Sequence, residues 1–186
     1  MKHLLIICGA SGAGKTTIQN YLINKHRFER VITHTTRPKR ADEIDGSDYY
    51  FETEASFFKN DYFEYVKYDH SLYGSSREGL ERAWRKSAWA VIVLDTAGAL
   101  TYRKKLKESL MCWYIYVSNR ETLIRRLKDR DGGCNAATQR LSSSEARRDM
   151  DVPDQLKDFC VHIRNDNWKK TEEKIAKTLI EEGYYN

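Results

Sequence analysis

The chain has 186 residues and a formal net charge of +5, with 32 lysines and arginines against 27 aspartates and glutamates. This length is enough for one domain with a substantial hydrophobic core. The basic residues are dispersed rather than gathered in a block, which argues against nucleic acid and favours phosphorylated small ligands, and no apolar run approaches the ~20 residues of a membrane span.

Apolar patterning predicts strands and helices that alternate along the chain. The strands are predicted at 3–8, 31–35, 48–52, 62–68, 89–95, 111–118 and 159–164, and the helices at 15–26, 54–60, 76–87, 98–109, 120–130, 135–149 and 168–182. The continuous apolar runs 91–94 and 113–117 are typical of parallel strands covered on both faces. Around Phe63 and Tyr65, alternation with charged residues predicts an antiparallel sheet. We therefore expect an α/β fold with a parallel core sheet and a small, mainly antiparallel insertion.

The segment CGASGAGKTT at 8–17 contains a complete G-x-x-x-x-G-K-[ST] phosphate loop between the first predicted strand and helix. Its glycines allow positive φ, so successive N–H groups can surround an anion beside the positive end of the helix. Lys15 would contact the β- and γ-phosphates, and the Thr16 hydroxyl would ligate Mg²⁺. The predicted ATP-binding residues here are Gly9, Ala10, Ser11, Gly12, Ala13, Gly14, Lys15, Thr16 and Thr17.

A second group of polar residues follows at 33–76. Arg37 and Arg40 are three residues apart beside Pro38, and two guanidinium groups form a good clamp for a phosphate. Tyrosine hydroxyls can complete such a clamp. Glu64, if buried, would accept hydrogen bonds from the N1–H and N2–H₂ edge of guanine, which adenine cannot offer. Taken singly, Arg37 and Arg40 could equally be solvated charges, and Glu64 a surface residue of an edge strand. The order and spacing of the whole set favour a second site, for a purine nucleotide.

Four cysteines are present, Cys8, Cys112, Cys134 and Cys160, and none forms a C-x-x-C pair. Cys8, Cys112 and Cys160 lie in apolar runs that predict core residues, and the wide spacing of the four gives no support for a zinc site or a disulfide, so reduced thiols of a cytoplasmic protein are expected. The apolar stretch before Gly9 is shorter than the ~7–15 residues of a signal peptide. We therefore expect a soluble, cytoplasmic protein.

The order of these motifs resembles the guanylate kinase family over nearly the whole chain. The resemblance rests on G-x-S-G-x-G-K-T, T-T-R-P-K-R, G-x-D-Y-x-F, F-E-Y followed by L-Y-G-S, an apolar strand ending L-D, R-L-x-x-R, and Asn165-Asp166 after the last strand. It implies a three-layer P-loop nucleoside monophosphate kinase with a helical lid. The implied regions are a core at 1–32, 81–128 and 150–186, a nucleoside-monophosphate-binding insertion at 33–80 and a lid at 129–149.

The same resemblance implies a role for each matching residue. Arg37, Arg40, Tyr49 and Tyr73 would hold the acceptor phosphate; Thr33, Glu64 and Ser75 would read guanine; Asn165 would lie near the adenine of ATP. Lys15, Arg40, Arg130 and Arg140 would surround the transferred phosphoryl group. Asp95 would orient Mg²⁺ or its waters and border the acceptor. The implied reaction is phosphorylation of GMP, and of dGMP, by MgATP in a monomer or homodimer with no membrane or nucleic-acid partner.

The chain departs from the family at one turn. The family's L-D-I-D-x-Q-G is here the shorter Leu94-Asp95-Thr96-Ala97-Gly98, without the second acid and the glutamine. That acid normally helps at the guanine site, so a kinase for another phosphorylated acceptor, such as ribose 1,5-bisphosphate, is an alternative. A non-catalytic binding module is a further alternative, although Lys15 argues against it. A basic nucleic-acid-binding protein ranks last, because the tyrosines cluster in the insertion.

Overall fold

The computed structural model describes residues 2–68, 70–106, 110–131 and 141–185. The strands are β1 (His3–Gly9), β2 (Glu29–Arg30), β3 (Thr33–Thr35), β4 (Tyr49–Phe51), β5 (Tyr62–Tyr68), β6 (Ser71–Ser76), β7 (Trp89–Val93), β8 (Leu110–Tyr116) and β9 (Cys160–Arg164). The helices are α1 (Lys15–His26), α2 (Glu54–Phe57), α3 (Arg77–Lys86), α4 (Thr96–Lys105), α5 (Arg120–Asp131), α6 (Ser144–Arg148), α7 (Asp154–Lys157) and α8 (Trp168–Glu181).

Five parallel strands form the central sheet, in the order β2-β7-β1-β8-β9. Strand β1 lies in the middle because its apolar run can be buried on both faces. One face packs against α1, α5 and α8 through residues such as Ile18, Leu123 and Ile175. The other face packs against α3, α4 and α7 through residues such as Leu80, Tyr102 and Leu156. The predicted three-layer α/β fold is confirmed.

A second sheet has the strand order β4-β3-β6-β5. The β3–β6 and β5–β6 pairs are antiparallel and the β3–β4 pair is parallel, so the insertion is mainly antiparallel, as predicted. Strand β6 was not predicted, because its Leu72-Tyr73-Gly74 run is short and is followed by two serines. Its register places Ser75 opposite Glu64, which is decisive for the site described below.

Most predicted elements have close counterparts, with three exceptions besides β6. Strand β3 covers only the last three residues of the strand predicted at 31–35, and neither β2, which lies before that range, nor helix α7 was predicted. Of the helix predicted at 135–149, α6 is present at Ser144–Arg148, and residues 132–140 lie outside the described residues. No helix in the described ranges is both long enough and apolar enough to cross a bilayer.

Three cysteines meet on one face of the central sheet, where the prediction of isolated thiols was wrong. Cys112 and Cys160 are register partners on β8 and β9 and form a disulfide, with Cα atoms 4.6 Å apart. The Cys8 Sγ lies 3.8 Å from the Cys112 Sγ. Adjacent parallel strands bring these residues together although 48 or more positions separate them, so spacing along the chain carried no signal. Burial raises the pKa of the Cys8 thiol to about 12, which keeps it protonated.

The disulfide leads to a stability prediction. It joins residues 48 positions apart, so reduction should destabilise the protein by about 2–4 kcal/mol by freeing the unfolded chain. We expect protein purified without reductant to show a lower Tm in calorimetry after reduction. The Cys160→Ala variant should have a low Tm that reductant does not change. A wild-type Tm indifferent to reductant would contradict the prediction.

Candidate functional site

A cavity of about 660 Å³ connects the phosphate loop with the small sheet. At one end it is lined by Gly12, Lys15 and Thr16, and at the other by Arg37 and Glu64. Two groups of predicted site residues, far apart in sequence, therefore share one space. That volume is in the range of pockets for small molecules and cofactors.

The phosphate loop follows β1 and ends at α1. Gly14 precedes the helix at φ 96°, and a Cβ there would lie 2.2 Å from the Asn165 Nδ2. A side chain at this position would be both strained and blocked. Gly9 has φ 128°, and a Cβ would lie 2.1 Å from the Ile115 carbonyl oxygen. The glycine positions of the motif are thus fixed by contacts with β8 and the segment after β9.

Lys15 and Thr16 begin helix α1 and line the cavity. The Lys15 Nζ donates to the carbonyl oxygens of Gly9 at 2.7 Å and Ala10 at 2.9 Å. Its ammonium group is therefore held against the backbone of the loop. The Thr16 side chain is exposed to the cavity, so a hydroxyl is accessible where the motif predicts a Mg²⁺ ligand.

The side chains of Asn165 and Arg126 contact the backbone of the phosphate loop. The buried Asn165 side chain donates from Nδ2 to the Ala13 carbonyl at 2.8 Å and accepts from the Thr171 hydroxyl at 3.1 Å. Arg126 Nη2 donates to the Asn165 carbonyl at 2.8 Å, and Nη1 lies 3.4 Å from the Ala13 carbonyl. The amide of Asn165 is thus engaged with the loop backbone. Arg126 was not predicted as a site residue, although it opens the R-L-x-x-R motif.

The two predicted phosphate-binding arginines share one carboxylate. Glu43 Oε1 accepts from Arg37 Nη2 at 2.6 Å and lies 3.5 Å from Arg40 Nη1, while Oε2 accepts from the Arg40 backbone N–H at 2.8 Å. Burial acts to raise the pKa of Glu43, but the hydrogen bonds from Arg37 and Arg40 outweigh it and lower the pKa. The guanidinium of Arg37 also lies 5.5 Å from the centre of the Tyr49 ring. Glu43 was not predicted; the spacing R-x-x-R-x-x-E was its only signal.

Two tyrosines complete this end of the cavity. The rings of Tyr49 and Tyr73 lie edge to face with centroids 6.2 Å apart, and both residues line the cavity. They come from β4 and β6, on opposite sides of β3. The arrangement is a cationic and hydroxyl-bearing surface with the composition of a phosphate site.

Glu64 is a carboxylate with 7% of its surface exposed. Its Oε1 accepts from the Ser75 hydroxyl at 2.8 Å, across the β5–β6 pair. Burial, with the nearby negative charge of Asp95, raises the pKa of Glu64 to about 7, although the Ser75 hydrogen bond opposes the shift. Thr33 lies half-buried on β3 and lines the same cavity. The side chains predicted to read a base are therefore grouped.

Asp95 has two partners in the structure. Its Oδ1 accepts from the Gly98 N–H at 2.6 Å, which caps α4, and its Oδ2 pairs with Arg148 Nη2 at 2.6 Å. Asp149 lies beside it, with Oδ1 accepting from the Thr96 hydroxyl at 2.7 Å. The ion pair thus connects α6, at the end of the predicted lid, with the shortened turn. Arg148 was not predicted as a site residue.

The described residues bring most of the predicted site together around the cavity. Those lining it are Ser11, Gly12, Gly14, Lys15, Thr16, Thr17, Thr33, Arg37, Arg40, Tyr49, Glu64, Tyr73 and Asp95. Ser75 does not line the cavity, but its hydroxyl donates to Glu64, which does. Arg130 lies in α5, but its side chain is outside the described residues, as is the whole of Arg140.

Comparison with known proteins agrees with this geometry. A family model described as guanylate kinase matches residues 1–182. A guanylate kinase of Chlamydia felis is 32% identical over 190 residues, covering 98% of this chain and 90% of its own; one of Protochlamydia amoebophila is 32% identical, covering 96% and 90%. A guanylate kinase structure from Anaplasma phagocytophilum superposes with a TM-score of 0.66 at 23% identity, covering 97% of this chain and 86% of its own. The chain belongs to the guanylate kinase family.

Proposed function

We propose that this protein phosphorylates GMP, and also dGMP, with ATP as the phosphoryl donor. The observation that carries the proposal is that one cavity holds both a phosphate loop and a buried carboxylate beside a cluster of arginines and tyrosines. Membership of the guanylate kinase family supports the same reaction. The arrangement fits two phosphorylated ligands facing each other.

On the donor side, the loop backbone N–H groups and Lys15 would bind the β- and γ-phosphates of ATP. Lys15 would then exchange the Gly9 and Ala10 carbonyls for phosphate oxygens. Asn165 would act on ATP through the loop that it supports, because its amide contacts Ala13. Phosphoryl transfer needs alignment and charge neutralisation more than covalent chemistry, and these groups supply both.

Mg²⁺ fits this donor site. The accessible Thr16 hydroxyl is a hard oxygen ligand at the start of α1, and Mg²⁺ takes its other ligands largely from water and phosphate. Asp95, whose carboxylate also caps α4, would orient the ion's waters. When bound, the ion would neutralise charge on the transferring group and hold the phosphates in place.

On the acceptor side, Arg37, Arg40, Tyr49 and Tyr73 would hold the phosphate of GMP. Glu43 holds both arginines through its carboxylate, which would reduce the side-chain ordering that GMP binding requires. Thr33, Glu64 and Ser75 would read the guanine edge. No general base is required, since the attacking atom is already a phosphate oxygen.

Closure would complete the site. We propose the division into a core (1–32, 81–128 and 150–186), an acceptor-binding insertion (33–80) and a lid (129–149). Arg130 and Arg140 of the lid would join Lys15 and Arg40 around the transferring phosphoryl group. Exclusion of water would strengthen these charges and suppress hydrolysis of ATP.

The test is ADP release from MgATP with a panel of acceptors. We expect turnover with GMP and dGMP and little with AMP, CMP, UMP or ribose 1,5-bisphosphate. Turnover with ribose 1,5-bisphosphate alone would overturn the acceptor assignment while leaving phosphoryl transfer in place. ATP binding without turnover on any acceptor would overturn the proposed reaction.

Arg37→Ala should weaken GMP binding. The change removes a partly buried guanidinium that pairs with Glu43, so we expect KM for GMP to rise by ~30-fold or more, with a much smaller change in KM for ATP. The matched control is Lys39→Ala, which removes an exposed cation from the same loop. Equal effects of both variants in steady-state kinetics would mean that only net charge matters.

A further inference from the structure

A buried tyrosine lies behind the carboxylate that would read the base. Tyr102 of α4 has no exposed surface, and its ring stacks on Phe63 with centroids 4.5 Å apart and planes at 17°. Its hydroxyl lies 2.9 Å from the Ser75 Oγ, which lies 2.8 Å from the Glu64 Oε1. Tyr102, Ser75 and Glu64 therefore form a continuous hydrogen-bonded chain from the core to the cavity.

When Glu64 is ionised, the donor and the acceptor of each hydrogen bond in this chain are fixed. A carboxylate only accepts, so the single proton of Ser75 must point to Glu64. The Ser75 oxygen can then accept the proton of the Tyr102 hydroxyl, which lies 2.9 Å away. Each hydrogen bond polarises the next, which strengthens the bond to the carboxylate. Glu64 itself lines the cavity, so the carboxylate at the end of this chain faces the ligand site.

We propose that Tyr102 is a positioning residue that orients and stabilises the Glu64 carboxylate for recognition of the guanine base. This inference rests on the proposed function and deepens it. Tyr102 does not line the cavity, so it acts through Ser75 rather than by touching the substrate. The matched motifs implied roles for Glu64 and Ser75, and none for Tyr102.

Helix α4 reaches the base site at three points. Lys105 Nζ donates to the Phe63 carbonyl at 2.6 Å, one residue before Glu64. At the other end, a Cβ on Gly98 would lie 3.1 Å from Glu64 Oε2, so only a glycine leaves that oxygen uncrowded. Tyr102 lies between them. Helix α4 begins at Thr96, inside the turn that departs from the family pattern, so one helix supports both this turn and the carboxylate that would read the base.

Several charges surround this chain and affect its ionisation. Asp95, before α4, favours the neutral form of Glu64, while Lys105 favours the carboxylate. Burial raises the pKa of the Tyr102 hydroxyl, and the positive charge of Arg77, at the start of α3, acts to lower it. The tyrosine donates to the chain that ends on the ionised acid. Its removal should therefore move the pH midpoint for GMP recognition upward.

The test compares Tyr102→Phe with wild type. Phenylalanine keeps the stack on Phe63 and removes only the hydroxyl. We expect KM for GMP to rise ~3- to 10-fold, with kcat and KM for ATP within about twofold, and the pH midpoint of kcat/KM for GMP to shift upward. The matched control is Tyr62→Phe, which removes a hydroxyl from β5 that contacts Asn60 instead.

The outcomes separate this inference from the proposed function. If wild type shows no GMP-dependent ADP release, the proposed function fails. If wild type is active and Tyr102→Phe matches it in KM and pH profile, the positioning role of Tyr102 is wrong. A general loss, with kcat, KM for ATP and Tm all changed, would also reject it, since it would show that the hydroxyl supports the fold as a whole.

Discussion

Replacing Lys15 with alanine should lower kcat for GMP phosphorylation by ~10³-fold or more. Lys15 is the cation of the phosphate loop, and its charge would face the β- and γ-phosphates as negative charge develops in the transition state. Alanine leaves no group that can replace this charge. Steady-state ADP release under saturating MgATP and GMP measures the loss.

The fold should survive this change. Lys15 contributes hydrogen bonds to the Gly9 and Ala10 carbonyls, which water can satisfy in the open cavity, so we expect a Tm close to that of wild type. The matched control is Lys25→Ala, an exposed lysine in the last turn of the same helix, which should retain full activity. An active Lys15→Ala enzyme would refute the assignment of the loop.

Replacing Glu64 with glutamine should raise KM for GMP by ~10²-fold while KM for ATP stays nearly unchanged. Glutamine keeps the size of the side chain, but it presents one acceptor and one donor where guanine offers only donors. A buried donor facing another donor costs the hydrogen bond and leaves both groups desolvated. Equal weakening of ATP and GMP would count against a base-reading role.

The pH dependence provides a second measure of the same carboxylate. The pKa of Glu64 is raised to about 7, so at pH 6 the group is mostly protonated and at pH 8 it is mostly ionised. Only the ionised form accepts both guanine donors, so kcat/KM for GMP should rise through pH 7 and level off above it. In the Glu64→Gln variant, kcat/KM for GMP should no longer rise through pH 7, apart from any titration that belongs to the nucleotide phosphates.

The loop and the central sheet could be predicted from local patterns. The apolar run before Gly9 and the spacing of the glycines depend on neighbours within about ten residues, so the sequence carries their signal directly. The base site was located only in part, because strand β6 has no strong apolar pattern and owes its place to pairing with β5. Glu64 was predicted, but Tyr102, which is linked to it through Ser75, was not, since 38 residues separate Tyr102 from Glu64.

Contacts between residues far apart in sequence also account for other features that were not predicted. The disulfide depends on the order β1-β8-β9 in the sheet, which no spacing along the chain reveals. The ion pair between Asp95 and Arg148 joins residues 53 positions apart. Glu43 lies close to Arg37 in sequence, but nothing in a run of charged residues distinguishes a buried carboxylate from a solvated one.

The support that Asn165 gives to the phosphate loop has a consequence for synthesis on the ribosome. The loop motif ends at Thr17, yet the side chains that hold its backbone belong to Arg126 and Asn165, more than 100 residues later, and Asn165 is itself held by Thr171. A nascent chain therefore has the complete motif long before it has a rigid anion site. Nucleotide cannot assist the early stages of folding, and ATP should bind tightly only after Asn165 and Thr171 have emerged.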